Sequence, residues 1–339
     1  MPAYFGLDIG SYSIKAVQVE KKHNQYNLVT FGEIKTPVNL TSQAEIDKRA
    51  IVAAIKKLLL DTKISTKEVI LSLSEASTFS QVIELPYLSQ TELRSAIQFE
   101  AEQYIPVPLD EVKLEYLVLS SSTTGVREKK MEVLLVAAKQ QAINQVVEIV
   151  EAAELIPLVL ETDALSLLRV NNLSFQDNCL FLNLGHSITS ILLLQKQILK
   201  LVRTIKTAGA AFTRAVSRDL NMELFQAEQY KVSYGLQSDA LEGKVAKAIQ
   251  PIFNVILNEL KKALNFFLQK YPEVKINTLI VSGGGAAMPG LNAYLAKSLN
   301  LEVVNFDPFV NFAPDRRFAQ IVDKARFATA VGLAVREDK

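Results

Sequence analysis

Apolar positions fall in short strand-like runs between stretches with helical spacing along the whole chain. Residues 4–9, 14–19 and 26–34 read as three strands, the last two joined by the polar turn Lys21-Lys22-His23-Asn24. Ser42 and Glu45 have capping-box spacing and predict a helix to about Leu60, then a strand at 69–73. A strand at 78–85 ends at Pro86, and Ser89 with Glu92 predicts a second capped helix. Leu93, Ile97, Ala101 and Tyr104 recur along it, and Pro106 and Pro108 stop it. Strands at 113–119 and 130–137 flank a flexible hairpin loop at 120–125. Ile143, Val146, Val147 and Val150 mark one face of a helix ending near Glu154.

The pattern then begins again. Strands are expected at 180–184, 190–194 and 198–205, and helices at about 208–220 and 224–234. Pro251 should kink or divide the helical region 240–270. A strand at 278–281 enters a glycine-rich loop, a helix lies near 291–298, and 324–335 read as a final helix. Gly6-Leu7-Asp8-Ile9-Gly10-Ser11-Tyr12-Ser13 and Phe181-Leu182-Asn183-Leu184-Gly185-His186-Ser187 share one plan: apolar strand, Asp or Asn, apolar residue, Gly, polar turn. That repeat at half-chain spacing predicts two like α/β domains facing each other across a cleft.

The chain of 339 residues is 49% hydrophobic and 22% charged, which excludes general disorder. A net charge of +1 lacks the basic footprint of a nucleic-acid binder. The one cysteine, Cys179, lies in an apolar run and reads as a buried, inert thiol; with His23 and His186 it leaves little for a zinc site. No basic leader and no run of 18 apolar residues stand out, so no direct membrane insertion is expected, and a cytoplasmic protein would reach the membrane only through a partner.

A bound phosphate needs converging N–H groups and a close approach that a Cβ would block. The turn Gly10-Ser11-Tyr12-Ser13 offers both, with Lys15 as a point charge and Asp8 to hold Mg²⁺ through water. The alternative is a plain hairpin turn with a solvated lysine. Gly283, Gly284 and Gly285 follow a strand, precede Met288 and a helix, and could lie flat against a ligand with the helix N-terminus favouring anions. A merely flexible loop is the competing reading.

Together these segments resemble the actin, heat-shock chaperone and sugar-kinase superfamily over nearly the whole chain. The resemblance implies ATP held with Mg²⁺ between two phosphate loops, the second carrying Asn183, Gly185 and His186, and an adenosine loop at Gly283–Gly285 with Met288. It places Glu161 at the start of the first connecting helix, where relatives polarise the attacking water. It puts Glu228 and Lys231 on a ribose-contacting helix, Gly209 in the turn after the second phosphate strands, and Gly332 in a second connecting helix that crosses closely. Glu228 and Lys231 could instead be an exposed helix pair, Glu161 a helix-start acid, and His186 a polar loop residue. Where the superfamily usually has Asp, this chain has Asn183, whose amide orients a hydrated ion but carries no charge. ATP binding with slow or negligible hydrolysis is therefore expected.

Within the FtsA-like branch, with its inserted small subdomain, the segments Leu85-Pro86-Tyr87-Leu88-Ser89-Gln90-Thr91-Glu92-Leu93, 96–108 and Leu134-Leu135-Val136-Ala137-Ala138-Lys139 resemble the PilM family of type IV pilus assembly proteins. The implied fold is α/β and actin-like, with duplicated ribonuclease-H-like sheets. Its boundaries would be 1–77 completed by 157–178, an inserted βαββα block at 78–156, a second large subdomain at 179–206 and 275–339, and a helical one at 207–274. The implied role is a scaffold that docks the N-terminal cytoplasmic peptide of PilN and meets other inner-membrane platform proteins. Phe79, Tyr87, Phe99 and Tyr104 are candidates for the peptide groove or for core. An ATP-dependent filament, a type II secretion component and a phosphotransferase stay open as readings, as does self-association. The chain stops soon after the last helix, so no FtsA-type membrane anchor is expected. Glu154 stands where such proteins often place Gly, which puts a left-handed helix cap there in doubt.

Overall fold

The structure, a computed structural model, describes residues 4–23, 25–38, 44–122 and 130–337. The first half contains β1 (Phe5–Ile9), β2 (Ser13–Lys22), β3 (Gln25–Lys35), α1 (Glu45–Thr62), β4 (Glu68–Leu73), β5 (Thr78–Pro86), α2 (Gln90–Tyr104), β6 (Val112–Ser122), β7 (Lys130–Lys139), α3 (Gln140–Ala152), β8 (Ile156–Thr162) and α4 (Asp163–Ser174). The second contains β9 (Cys179–Leu184), β10 (Thr189–Gln195), β11 (Ile198–Ile205), α5 (Gly209–Asp219), α6 (Leu224–Tyr234), α7 (Lys244–Lys270), β12 (Thr278–Ser282), α8 (Leu291–Leu299), β13 (Glu302–Asn305) and α9 (Ala328–Ala334).

Two five-stranded sheets have the orders β3-β2-β1-β4-β8 and β11-β10-β9-β12-β13. In each, the first strand runs antiparallel to the second and parallel to the fourth, and the fourth parallel to the fifth. The repeat read from the turns is thus a repeat of the whole sheet. A third sheet, β5-β7-β6, is antiparallel and carries α2, whose Leu93 and Ile97 bury against Ile83, Leu85, Met131, Val133 and Leu135. The capping box of Ser89 and Glu92 forms in full.

Helix α3 packs its Val146, Ile149 and Val150 against Ile51, Ile55 and Leu58 of α1. Its end is a left-handed cap made by Glu154 at φ 66, with Glu154 N–H donating to Glu151 O and Leu155 N–H to Val150 O. An ion pair from Lys56 at 2.6 Å accompanies this cap, so glycine is not required.

Three expectations change. Helix α1 is capped by Ala44 without a side-chain bond, so Glu45 is its first residue and not the third that a capping box needs; Ser42 lies outside the described residues, as do 123–125 of the expected 120–125 loop, whose first three residues belong to β6. Helix α7 runs unbroken through Pro251, whose position is exposed, so water can serve the carbonyl that loses its N–H partner. The irregular backbone lies earlier, at Leu241 and Glu242, both at positive φ. Residues 324–335 split into a 3-10 turn (Lys324–Phe327) and α9.

Helices α4 and α9 cross between the two large sheets. A Cβ on Gly332 would lie 2.1 Å from Ser166 O, and one on Gly6 2.5 Å from Ala330 O, so α9 lies close on both α4 and β1. The core here mixes Val17 and Leu28 of the first sheet with Phe181 and Leu192 of the second. Cys179 belongs to it, and burial pushes its thiol up to about 12, which makes it inert. Among the described residues, no helix is long and apolar enough to cross a membrane.

Candidate functional site

The two glycine turns have one conformation. Gly10 N–H donates to Ser13 O and Gly185 N–H to Ile188 O, both at 3.1 Å. A Cβ would meet those same carbonyls at 2.8 Å in either turn, so glycine is needed twice for one reason. The turns face each other across the cleft. Ser187 Oγ donates to Ser11 Oγ at 2.9 Å, and the Tyr12 and His186 rings lie 5.2 Å apart. Among the described residues, the N–H groups of Ser11, Tyr12, His186 and Ser187 have no protein acceptor. Two facing turns thus leave four N–H donors without protein acceptors, the chemistry an anion needs.

Around them the halves differ. Asp8 pairs with Lys15 in the β1–β2 ladder and holds its Nζ at 3.4 Å. The matching pair in the second half is Asn183 and Ser190, and the buried Ser190 hydroxyl lacks a partner among the described residues. Glu33 lies beside Ser13 and Lys15. Burial opposes its ionisation, but a hydrogen bond with Ser13 and the charges of Lys15 and Arg326 outweigh burial and hold its carboxyl below the usual range.

Gly209 starts α5 against the second turn. Its N–H donates to Gly185 O, and that of Ala210 to His186 O. Lys231 on α6 reaches Gly209 O at 3.3 Å, Thr213 Oγ1 at 3.1 Å and Glu228 Oε2 at 2.7 Å. Glu228 and Lys231 therefore form a packed pair at the cleft rather than a solvated one. Burial raises Glu228, but its bonds with Lys231 and Thr213 prevail and keep it ionised. Burial, then the charge of Lys231, lowers His186, so its imidazole is neutral near pH 7.

The triple-glycine loop is folded onto the second half. Gly283, at φ 83, donates its N–H to Ala325 O, and Gly285 N–H donates to Leu184 O. Gly284 is exposed, with open space where a Cβ would stand. Met288 packs in the second-half core beside Gly235, and α8 starts at Leu291, beside Leu236, where the helix near 291–298 is expected.

Glu161 is also placed differently from the expectation. It sits on β8, not at a helix start. Its carboxylate takes two bonds from Arg169, at 2.6 and 2.7 Å, and another from Arg336. With both oxygens bound to guanidinium groups, it is a structural ion pair. The acid at the start of α4 is Asp163 instead. Burial, then the charges of Asp8 and Glu75, push its carboxyl well above the usual range. The signal was present in Glu161-Thr162-Asp163, since Thr162 is the helix cap and fixes Asp163 as the first helical residue.

Among the described residues, no cluster of three or more His, Cys, Asp or Glu could hold a metal. Asp8, Asn183 and Asp163 are hard oxygen donors, the set that suits Mg²⁺ held largely through water and phosphate.

A family model described as type IV pilus assembly protein PilM matches residues 6–338. Among solved structures, the PilM-PilN type IV pilus biogenesis complex aligns with a TM-score of 0.86 at 28% identity, covering 98% of each chain. MreB 5 of Spiroplasma citri bound to AMPPNP aligns at 0.52 and 11% identity, covering 97% of this chain and 94% of that one. The cell division protein FtsA of Staphylococcus epidermidis is 22% identical over 340 residues, spanning 88% of this chain and 73% of that protein. The duplicated sheets make the fold actin-like with two domains, and the match from residue 6 to residue 338 places this chain in the PilM family of type IV pilus assembly proteins.

Proposed function

We propose that this chain is a pilus-assembly scaffold that binds ATP with Mg²⁺ between its halves and docks the N-terminal cytoplasmic peptide of PilN. The observation that carries the nucleotide reading is the set of four acceptor-free N–H groups at the facing turns, beside Lys15 and Asp8. The solved relative that joins PilM to PilN, and the AMPPNP-bound MreB, support the partner and the ligand class. Bound Mg²⁺ would shield the triphosphate charge. Asp8 and Asn183 would orient its waters, Lys15 would neutralise phosphate, and the turn N–H groups would fix the tail.

Hydrolysis is slow in this reading because Asn183 brings no charge and Glu161 is held by its arginines. Asp163, the acid at the start of α4, would already hold its proton and so take none from an attacking water, because burial, then the charges of Asp8 and Glu75, raise its carboxyl. On the inserted block, Tyr87, Phe99 and Tyr104 are exposed, whereas Phe79 packs near Ala101 and Ile105. The exposed rings are the apolar anchors offered to the peptide. Calorimetric titration with ATP–Mg²⁺ and with a PilN N-terminal peptide, separately and together, tests both parts. Binding of neither ligand would overturn the proposal.

A further inference from the structure

Glu75 lies in the turn between β4 and β5, where the chain leaves the first sheet for the inserted block, and it is 2% exposed. Its Oε1 accepts from the Ala164 N–H at 3.2 Å, in the first turn of α4. Its Oε2 accepts from the Thr78 hydroxyl at 3.2 Å and the Ser80 hydroxyl at 3.1 Å, both on β5. The reverse contact exists too: the carboxyl of Asp163 takes the Glu75 backbone N–H and the Ser72 hydroxyl. Each acid is held by the other's segment, and the Asp163 carboxyl also feels the charge of Asp8 at the cleft.

An acid buried this deeply is costly, and it faces a second acid of the same sign. A turn can be closed by neutral groups at lower cost, so the carboxylate calls for a reason beyond the turn. Its two oxygens divide between two bodies. One holds the helix that begins with Asp163, and the other holds the strand that opens the inserted block. A cation at Asp8 relieves repulsion among these acids, and so changes how firmly Glu75 grips either side.

We propose that Glu75 is a positioning residue that couples occupancy of the cleft to the peptide-docking inserted block, through Asp163 and the first turn of α4 on one side and Thr78 and Ser80 on the other. This rests on the proposed function above and adds to it a route of regulation.

The test is the affinity of the full chain for a PilN N-terminal peptide, measured with and without ATP–Mg²⁺. The wild-type ratio is expected to be at least about fivefold, the lower end of typical coupling. Glu75→Gln keeps size and removes the charge; its amide oxygen can still accept from Ala164 N–H, and its NH2 can donate to the Thr78 and Ser80 hydroxyls once these rotate. It should bring the ratio to within about twofold of one while nucleotide-free peptide affinity stays near wild type. The double variant Thr78→Val, Ser80→Ala cuts only the β5 side and leaves the Ala164 contact. It should lose the ratio equally, with ATP affinity within about threefold of wild type, and it decides the matter if Glu75→Gln does not fold. A wild-type ratio kept by the folded variants overturns the proposal. So does a wild-type ratio near one when both ligands bind. No ATP binding to the wild type instead overturns the cleft reading itself, and the first titration separates the two failures.

Discussion

In the first half, Asp8 at the end of β1 faces Lys15 across the ladder; in the second, the same two positions hold Asn183 and Ser190. The turns between them share their hydrogen bond and their intolerance of a Cβ. Duplication has kept the backbone and let the charge go. Backbone geometry is enforced by sterics at each copy separately, whereas a phosphate tail bound by both turns needs only one half to carry the cation and the carboxylate. The first half should therefore set affinity, and the second should contribute shape.

The sharpest way to break this comparison is Lys15→Ala against Ser190→Ala. Losing the lysine should weaken ATP–Mg²⁺ binding about a hundredfold, roughly 2.7 kcal/mol, and losing the serine should change it less than about threefold; calorimetry reads both, and equal losses would end the asymmetry. Next come Gly10→Ala and Gly185→Ala, which should each cost about 2 kcal/mol of stability, because the same carbonyl must move in either turn. Denaturant midpoints that differ strongly between them would show that the turns are not equivalent. A smaller effect is expected from Asn183→Asp, which restores the second carboxylate. It should raise Mg²⁺-dependent ATP turnover about tenfold, or 1.4 kcal/mol in the barrier, as read by steady-state phosphate release.

Asp163→Asn is the smallest. An acid whose folded carboxyl is raised holds its proton longer in the native state than in the unfolded one. It is therefore protonated and harmless at low pH, and its ionisation removes stability as pH rises above the ordinary carboxylate range. Thermal melts between acid and neutral pH should fall less steeply for the variant than for the wild type. Identical slopes would remove Asp163 from the acid group around Asp8.

Much of the fold was legible because local rules wrote it. Ser89 with Glu92 specified its helix, and the Gly10 and Gly185 turns announced the duplication. Strand β8 stayed hidden because Pro157 interrupts its pattern and Ile156 and Leu158 remain exposed on an edge, where Pro is tolerated. Strand β13 has only four residues and too little pattern to read. Glu161 stands two positions before the helix because Thr162 is the cap, a local signal; what no window of sequence contains is its contact with Arg336, 175 positions away. Glu75 escaped notice for the same reason, since Ala164 is 89 positions on.

The crossing of α9 over β1, at Gly6 and Ala330, reaches beyond the cleft to how the protein is made. A nascent chain emerging from the ribosome would present the first sheet long before the helix that covers it has been translated. Until then Gly6 lies bare, and Glu161 waits for Arg336. The early half must remain an open intermediate, sheltered or at risk of aggregation, until α9 has been synthesised. Maturation of this scaffold therefore runs backwards, its oldest strands being the last to be sealed.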